Sequence, residues 1–292
     1  GVAAGMSAAS KAKREKKDLE ITVYEMTDII SWGSCGLPYY VGNFYDDPKR
    51  MIAKSLEEFQ KEGITIKIKH EVIGVDIEKK EISVKNLTTE EIFKDKYDEL
   101  IITTGASAVK PPIKNIDLEN VFTLKEFSDG IVLKKAMMES ENKRVVIIGA
   151  GYIGLEVAEA AVNLNKEVRI IQLDDRVIPG SFDKEMTDIM EKEIRGHKDV
   201  FLNLGESVSE FEGKSGKVSE VRTNKGVYPA DIVVLATGVR PNTKFLDGTG
   251  IETLKNGAIV IDERGRSSIK DIYAAGDCAT VYHKLKKENV YI

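Results

Sequence analysis

The most informative segment of the chain reads Arg144-Val-Val-Ile-Ile-Gly-Ala-Gly-Tyr-Ile-Gly154. Its β-branched residues predict a buried strand, and the glycine pattern that follows predicts a tight turn opening into a helix. Such a turn presents backbone N–H groups at a helix N-terminus to a pyrophosphate. We therefore predict a dinucleotide-binding unit at this point. The alternative is a glycine-rich turn that serves packing only.

The ribose-binding acid of this motif is expected at the end of the next strand. That strand is predicted over Val168 to Leu173, and the expected position is Gln172, with Asp174 and Asp175 just beyond it. Glutamine does not repel a 2′-phosphate, and no arginine stands immediately beside it to bind one. The choice between NADH and NADPH therefore stays open.

The chain opens with a partial second copy of the same pattern. A small-residue helix containing Gly5 leads to an apolar strand, Ile21 to Glu25, that ends in a carboxylate. The strand and the first glycine that normally precede such a helix are not in the sequence, and no initiator Met is present. We expect that the sequence is a piece of a longer protein.

The rest of the chain alternates between strand and helix patterns, which predicts an α/β fold with two Rossmann-like nucleotide-binding units. We predict one amphipathic helix over Pro48 to Glu62 and another around Asp183 to Arg195. Further strands are predicted over Ile64 to Ile68, Glu71 to Ile77, Glu81 to Val84 and Glu99 to Thr104, and the segments Asp231 to Pro241 and Asp271 to Asp277 follow later in the chain.

Composition excludes several classes of protein. The 43 basic and 48 acidic side chains give a net charge of −5, which argues against a polybasic nucleic-acid binder. No apolar run approaches the roughly 18 residues that span a bilayer, so a cytoplasmic protein is expected. The two cysteines and three histidines show no zinc spacing, and no metal site is expected.

Cys35 lies in an unusual segment, Ser31-Trp-Gly-Ser-Cys-Gly-Leu-Pro-Tyr-Tyr-Val-Gly42. This segment is too rich in Gly and Pro for a core helix and too aromatic for a flexible loop. A reactive cysteine must be partly ionised to the thiolate. The dipole of a helix start stabilises that thiolate by only about 0.3–1 kcal/mol. A further partner, such as a flavin ring, would be required; the alternative is a buried structural thiol. Cys278 is interpreted as structural.

The basic residues from Lys11 to Lys17 have two possible interpretations. Cations near a helix C-terminus usually form a solvated face. Lys11 and Arg14 are three residues apart and share a face, so a phosphate site is the other reading.

Together these motifs resemble the pyridine nucleotide-disulfide oxidoreductase family, in the branch that contains coenzyme A-disulfide reductase, NADH oxidase, NADH peroxidase and polysulfide reductase. The resemblance covers essentially the whole chain. It rests on the Gly5 helix with Glu25, the Ser31-to-Cys35 motif followed by Gly-Leu-Pro-Tyr, Thr103-Thr-Gly-Ala106, the Gly149-to-Gly154 turn, Ala236-Thr-Gly238 and Tyr273-Ala-Ala-Gly-Asp277.

The resemblance implies a domain organisation. An FAD-binding domain is formed by residues 1–112 and 246–292, and an NAD(P)-binding domain, residues 113–245, is inserted in it. A C-terminal dimerisation domain is expected to follow Ile292, so the full-length protein is expected to be a homodimer.

The resemblance also narrows the chemistry. Family members with a redox dithiol carry a second cysteine five positions after the first, but here that position is Tyr40. A single cysteine must cycle through a mixed disulfide or a sulfenic acid. Oxidases and peroxidases of the family carry a histidine where this chain has Ala3, which favours a disulfide reductase. Ser34 stands where coenzyme A-disulfide reductases typically carry asparagine.

The implied function is an FAD- and NADH- or NADPH-dependent reductase of coenzyme A disulfide or a related small disulfide or persulfide. The alternatives are an NADH oxidase or peroxidase and a non-catalytic redox sensor. Cys35 is the implied catalytic residue. The implied cofactor-binding residues are Ala4, Gly5, Glu25, Ser34, Val72, Thr104, Gly105, Gly149, Gly151, Tyr152, Gly154, Gln172, Gly238, Gly276 and Asp277. The implied substrate-binding residues are Ser7, Lys11, Arg14, Ser31 and Ser34.

Overall fold

The computed structural model describes residues 2–291. These residues form two compact units. The first consists of the described residues up to Gly33, of Ile52–Ser107 and of the described residues from Arg240 onward. The second consists of Ser34–Met51 and Ala108–Val239. The second unit is therefore inserted into the first along the chain. It also includes the short segment Ser34–Met51, which lies within the predicted FAD-binding residues 1–112.

The helices vary widely in length. They are α1 (Val2–Glu15), α2 (Leu37–Val41), α3 (Leu56–Lys61), α4 (Phe127–Met138), α5 (Tyr152–Asn163) and α6 (Lys184–Gly196).

The strands are mostly short. They are β1 (Thr22–Glu25), β2 (Thr65–Ile68), β3 (His70–Asp76), β4 (Glu81–Asn86), β5 (Ile92–Lys96), β6 (Leu100–Ile102), β7 (Ala106–Ala108), β8 (Val121–Thr123), β9 (Arg144–Ile148), β10 (Glu167–Ile171), β11 (Val200–Asn203), β12 (Val208–Lys214), β13 (Lys217–Thr223), β14 (Val227–Pro229), β15 (Ile232–Leu235), β16 (Val239–Pro241), β17 (Ile272–Ala274), β18 (Val281–His283) and β19 (Glu288–Val290).

The second unit is built on a five-stranded sheet in the order β11-β10-β9-β15-β8. All of its pairings are parallel, and β9 pairs with β10 on one side and with β15 on the other. The strand order reverses beside β9, and the crevice at such a reversal is where parallel α/β sheets bind nucleotides. The topology therefore puts the turn after β9 at the expected binding edge.

The central strands of this sheet are buried on both faces. Val145 to Ile148 in β9 and Ile232 to Leu235 in β15 are at most 7% exposed. Near-continuous apolar strands are what a parallel sheet covered on both faces requires. The antiparallel sheet β12-β13-β14 contributes Phe211 and Val221, both fully buried, to the same core cluster.

The first unit contains smaller sheets. β1 pairs in parallel with β2, β6 pairs in parallel with β17, and β3, β4 and β5 form an antiparallel sheet. One core cluster, including Met6 and Phe59, lies under α1 and β2, and another includes Ile102 and Ile259.

The prediction of one continuous helix over Pro48 to Glu62 is wrong. The chain forms a 3₁₀ turn at Pro48–Met51 and then begins α3 after Ser55. The Ser55 hydroxyl accepts from the Glu58 N–H, and the Glu58 carboxylate accepts from the Ser55 N–H. This reciprocal capping box starts a new helix and interrupts the predicted one.

The prediction also missed α4 and β5. The buried face of α4 includes Gly130 and Lys134. A glycine and a lysine on the buried face conceal the helical hydrophobic pattern, because the apolar positions alone no longer repeat every three to four residues.

Among residues 2–291, the helices are all too short or too polar to cross a membrane. Within the same residues, no group of three or more His, Cys, Asp or Glu side chains is arranged to hold a metal ion.

Candidate functional site

The glycine turn after β9 is shaped by close packing at its two ends. A Cβ on Gly149, which has a φ of +108°, would lie 2.3 Å from the Ala236 carbonyl oxygen. A Cβ on Gly154 would lie 2.1 Å from the Gly149 oxygen. Neither position tolerates a side chain without movement of the backbone, so both glycines are required by the turn itself.

The middle glycine differs from its neighbours. Gly151 precedes α5 in extended backbone, at a φ of −79°, and a Cβ placed on it meets no atom within 4 Å. The protein alone does not require glycine there. The open space lies before the N-terminus of α5, where a pyrophosphate would take N–H hydrogen bonds. These residues therefore fit a dinucleotide.

Other residues predicted to bind cofactor lie in the same unit. Gln172, which is 8% exposed, accepts a hydrogen bond from the Ala150 N–H at 2.8 Å. Its amide nitrogen donates to the Asp174 carboxylate at 2.8 Å. Tyr152, 55% exposed, contacts Phe182 edge to face. Gly238 follows β15 with a φ of +96°.

The first unit brings several of its predicted cofactor residues together. A Cβ on Gly5 would lie 2.6 Å from the Thr103 hydroxyl, and one on Gly276, with a φ of +78°, would lie 3.0 Å from the Ala4 Cβ. The start of α1, the turn after β6 and the turn after β17 thus meet. A Cβ placed on Gly105, which has a φ of +65°, would meet no atom within 4 Å. The backbone cradle fits the phosphate-bearing half of a dinucleotide such as FAD.

The polar residues predicted in this unit are held by short contacts. The Glu25 carboxylate, buried at the end of β1, accepts from the N–H and the hydroxyl of Thr27, both at 2.8 Å. The Thr104 hydroxyl donates to the Asn242 carbonyl at 2.7 Å. The Asp277 carbonyl accepts from the Tyr291 hydroxyl at 2.9 Å. Val72 lies on β3 opposite Val84 and is half-buried.

Cys35 is exposed, so the alternative of a buried structural thiol is wrong. It lies in the 3₁₀ turn Ser34–Gly36 that runs into α2. The Gly36 carbonyl accepts a hydrogen bond from the Tyr45 hydroxyl at 2.8 Å. The Tyr45 hydroxyl thus fixes the peptide group of Gly36, the residue that follows Cys35.

The segment that carries Cys35 is anchored on α4 and α5. The Leu37 side chain packs against Gly130, and a Cβ added to Gly130 would lie only 2.4 Å from it. Gly42 packs against α5, and a Cβ added to Gly42 would lie 2.9 Å from the Cα of Ala160. The ammonium group of Lys134, almost wholly buried, donates to the Tyr45 carbonyl at 2.9 Å. These contacts explain why the segment belongs to the second unit.

Cys278 has the opposite environment. It is fully buried, and its sulfur lies 3.4 Å from the Ile102 carbonyl oxygen and 3.3 Å from that of Ala275. Burial raises the pKa of the Cys278 thiol, because the charged form loses its hydration. The environment is that of a structural thiol, as predicted.

The predicted substrate-binding residues divide between the units. Ser7, Lys11 and Arg14 are exposed on α1 in the first unit, where Lys11 pairs with Glu15. The Ser31 carbonyl, in the same unit, accepts from the Ala53 N–H at 3.0 Å. Ser34 is exposed in the second unit. Arg14 also lines a surface cleft of about 280 Å³ with Ser10, Lys13, Lys17 and Glu62.

Two groups of residues at the candidate sites were not predicted from the sequence. Tyr45 and Lys134 hold the Cys35 segment, but nothing in the sequence marks contacts between residues so far apart. Asp174 was noted only as lying beyond Gln172. Its place in the sequence, two residues beyond the position where the motif usually carries a ribose-binding acid, was the available signal.

The comparisons with known proteins agree with this geometry. The family profile described as pyridine nucleotide-disulphide oxidoreductase matches residues 1–290. An NADH oxidase of Enterococcus faecalis is 38% identical over 99% of this chain, and a CoA-dependent NAD(P)H sulfur oxidoreductase of Pyrococcus abyssi is 38% identical over 100% of it. This chain spans 64% of the length of each of these relatives.

Solved structures give the same result. The water-forming NADH oxidase of Lactobacillus brevis, bound to NADH, superposes with a TM-score of 0.94 at 37% identity. The match covers 100% of this chain and 64% of that one. The predicted fold class, two Rossmann-like domains with the second inserted in the first, is confirmed. The chain belongs to the pyridine nucleotide-disulphide oxidoreductase family.

Proposed function

We propose that the full-length protein is an FAD- and NAD(P)H-dependent oxidoreductase that reduces coenzyme A disulfide, or a related small disulfide or persulfide, through Cys35. The observation that carries this proposal is the exposed Cys35 thiol in a segment anchored by buried contacts. The similarity to the CoA-dependent sulfur oxidoreductase of P. abyssi supports the choice of substrate. The complete protein is proposed to be a cytoplasmic homodimer.

The proposed cofactor sites use the two glycine-rich regions. Gly149, Gly151 and Gly154 would receive the pyrophosphate of the nicotinamide nucleotide at the start of α5. Ala4, Gly5, Gly105 and Gly276 would lie against FAD, with Glu25 near its adenosine ribose and Asp277 near its ribityl chain. FAD, when bound, passes two electrons from the nicotinamide to the disulfide that forms on Cys35.

Cys35 would act as the nucleophile. Its thiolate attacks one sulfur of the substrate disulfide, a Cys35–coenzyme A disulfide bond forms, and the substrate S–S bond breaks. The first coenzyme A leaves as a thiolate and takes a proton from water. Two electrons then cleave the mixed disulfide, which returns the Cys35 thiolate and releases the second coenzyme A as a thiolate that is protonated in turn. Tyr40 stands where a second redox cysteine would be, and Cys278 is buried, so neither offers Cys35 a resolving thiol. The substrate sulfur would serve as the partner instead.

An NADH oxidase is the second candidate. The similarity to the oxidases of E. faecalis and L. brevis favours it. Cys35 would then pass through a sulfenic acid: the thiolate attacks one oxygen of hydrogen peroxide, the O–O bond breaks, and the other oxygen leaves as hydroxide that is protonated to water. The peroxide would come from the two-electron reduction of oxygen by NADH. Ala3 argues against this candidate, because a methyl group moves no proton where oxidases of the family carry a histidine.

An acceptor screen on the full-length flavoprotein tests the proposal. We expect NAD(P)H oxidation with coenzyme A disulfide under anaerobic conditions, and we expect Cys35→Ser to lower it about a hundred-fold or more, because the nucleophile is lost. Cys278→Ala is the matched control and should retain activity. Undiminished turnover by Cys35→Ser would contradict the mechanism, turnover with oxygen alone would favour the oxidase, and a purified protein without flavin would favour a non-catalytic sensor.

A further inference from the structure

A buried lysine packs against the segment Ser34–Met51. Lys134, on α4, is 9% exposed, and its ammonium group donates to the Tyr45 carbonyl oxygen at 2.9 Å. The same nitrogen lies 4.3 Å from the centroid of the Tyr40 ring and 3.4 Å from the Asp46 carboxylate. A buried ammonium needs partners for its charge, and a carbonyl, an aromatic face and a carboxylate supply them. Lys134 therefore binds this segment at three of its residues.

Tyr45 extends this restraint to the residue that follows Cys35. Its backbone carbonyl is held by Lys134, and its hydroxyl donates to the Gly36 carbonyl at 2.8 Å. Gly36 is also closely packed, because a Cβ added to it would lie 2.9 Å from the Tyr45 hydroxyl and 3.0 Å from Met51 Cγ. The Gly36 peptide group therefore has little room to shift unless Tyr45 shifts with it.

The backbone at Cys35 determines where its thiol points. Cys35 is exposed and lies in the middle of the 3₁₀ turn Ser34–Gly36. Attack on a disulfide requires the thiolate to be nearly in line with the S–S bond that breaks, so the orientation of the side chain contributes to the rate. A restraint on the Gly36 peptide is therefore also a restraint on the direction of the nucleophile.

We propose that Lys134 is a positioning residue for the attack of Cys35 on the substrate disulfide, and that it acts through Tyr45. This inference rests on the proposed function, since the attack is the step proposed there. The Cys35 thiolate forms a bond to one substrate sulfur, the substrate S–S bond breaks, and the departing thiolate takes a proton from water. Lys134 takes no part in these bond changes and only holds the nucleophile in the orientation that the attack needs.

The test isolates the attack in the full-length, FAD-loaded protein, reduced with dithiothreitol and then freed of it. Coenzyme A disulfide is added without nicotinamide nucleotide, and release of the first coenzyme A, followed by chromatography, gives the rate constant. We expect Tyr45→Phe, which removes only the hydroxyl, and Lys134→Met, which removes the ammonium at similar length, each to lower it about ten-fold or more. The double variant should be within about two-fold of the slower single variant, because both residues act through one peptide group.

Four controls separate orientation from loss of stability. Lys135→Met removes the exposed neighbouring lysine and should retain the wild-type rate constant. Val218→Ala weakens the core of the same unit and should retain it as well. Flavin reduction by NAD(P)H precedes the attack and should be unchanged in every variant. Alkylation of Cys35 by iodoacetamide needs no bound disulfide and should stay within about two-fold of the wild-type rate.

The outcomes are distinct. Wild-type rates of attack in Tyr45→Phe or Lys134→Met would overturn this inference and leave the proposed function standing. An equal loss in the alkylation rate would also overturn it, because exposure or ionisation of the thiol would then have changed, and so would losses that multiply in the double variant. If Lys134→Met does not fold, Lys134→Gln, which is polar and shorter, replaces it under the same criteria. Failure of the wild-type protein to release coenzyme A would overturn both this inference and the proposed function.

Discussion

At the scale of single residues, the three glycines of the turn after β9 have different reasons to be glycine. Gly149 and Gly154 are required by backbone packing, whereas Gly151 has nothing within 4 Å of its Cβ direction. A side chain at Gly151 would therefore extend into the open space where we propose that the nucleotide binds. This difference separates the stability of the turn from its binding function.

We expect Gly151→Ala to change the free energy of unfolding by less than about 1 kcal/mol, because its backbone is extended and a first helical turn accepts alanine with a small capping penalty. Nucleotide binding should fall more than about ten-fold, because the methyl group occupies the pyrophosphate position. Gly149→Ala should instead cost about 3 kcal/mol, from its positive φ and the overlap with Ala236. Urea unfolding and NAD⁺ titration measure the two effects. Loss of stability in Gly151→Ala, or wild-type affinity in it, would contradict this assignment.

The two cysteines should also differ in their rate of reaction with an alkylating reagent. With iodoacetamide under native conditions, mass spectrometry should find Cys35 modified and Cys278 protected, because one thiol is exposed and the other fully buried. Cys35→Ser should abolish rapid labelling, and labelling of Cys278 should appear only in urea. Equal rates for the two thiols in the native protein would show that Cys278 is accessible.

At the scale of elements, β9 and β15 are joined at their starting ends by one ion pair. The Asp231 carboxylate accepts from the backbone N–H groups of Lys143 and Arg144 at 3.0 and 2.9 Å, and the Arg144 guanidinium binds the same carboxylate. Burial by itself would raise the pKa of Asp231, but the hydrogen bonds from Arg144 and the two backbone N–H groups outweigh it and lower this pKa below its ordinary value.

This lowered pKa makes the contribution of Asp231 depend on pH. A carboxyl group whose pKa is lower in the folded state stabilises the protein above its unfolded-state pKa of about 3.9, and the contribution is lost as pH falls through the folded value. We expect Asp231→Asn to cost about 1–2 kcal/mol at pH 7, a figure reduced for the partial exposure of Arg144, and progressively less below about pH 4.

Urea unfolding of wild-type and variant protein at pH 7 and at pH 3.5 measures this difference. Asp117→Asn is the control, because Asp117 pairs with Lys110 but is 81% exposed, so less than about 0.5 kcal/mol should be lost at either pH. A cost of Asp231→Asn that is the same at both pH values would mean that packing, and not charge, is responsible.

At the scale of the whole molecule, each compact unit has its own buried clusters. Phe211 is fully buried in the cluster of the second unit, and Ile259 is fully buried in a cluster of the first. Neither cluster includes residues of the other unit. Large side chains at these two places therefore stabilise different parts of the chain.

We expect Phe211→Ala to cost about 3–5 kcal/mol through the cavity that it leaves. Hydrogen exchange followed by mass spectrometry should show faster exchange in β9 and β15 and little change in β6 and β17. Ile259→Ala is the matched variant and should give the reverse pattern. Uniform acceleration across all four strands in both variants would mean that the units open together.

Local patterns were enough to predict the nucleotide-binding units. The apolar run before Gly149 and the glycine spacing predicted β9, the turn and the following helix, and the family resemblance predicted two such units with one inserted in the other. The prediction failed where a local pattern was broken or concealed. Ser55 interrupted the helix predicted over Pro48 to Glu62, and Lys134 hid α4, because a lysine that binds a carbonyl in the interior is not distinguishable in sequence from an exposed one.

The sequence by itself determined the family, the fold class and the identity of the candidate redox thiol, because glycine turns, apolar strands and an isolated cysteine are local chemical patterns. The tertiary structure alone decided which thiol is accessible, which unit holds the Cys35 segment and where the Gln172 side chain is directed. Each of these depends on contacts between residues far apart in sequence, such as Lys134 with Tyr45 and Gln172 with Ala150. Such contacts form only when the packed sheets and helices bring their partners within hydrogen-bonding distance.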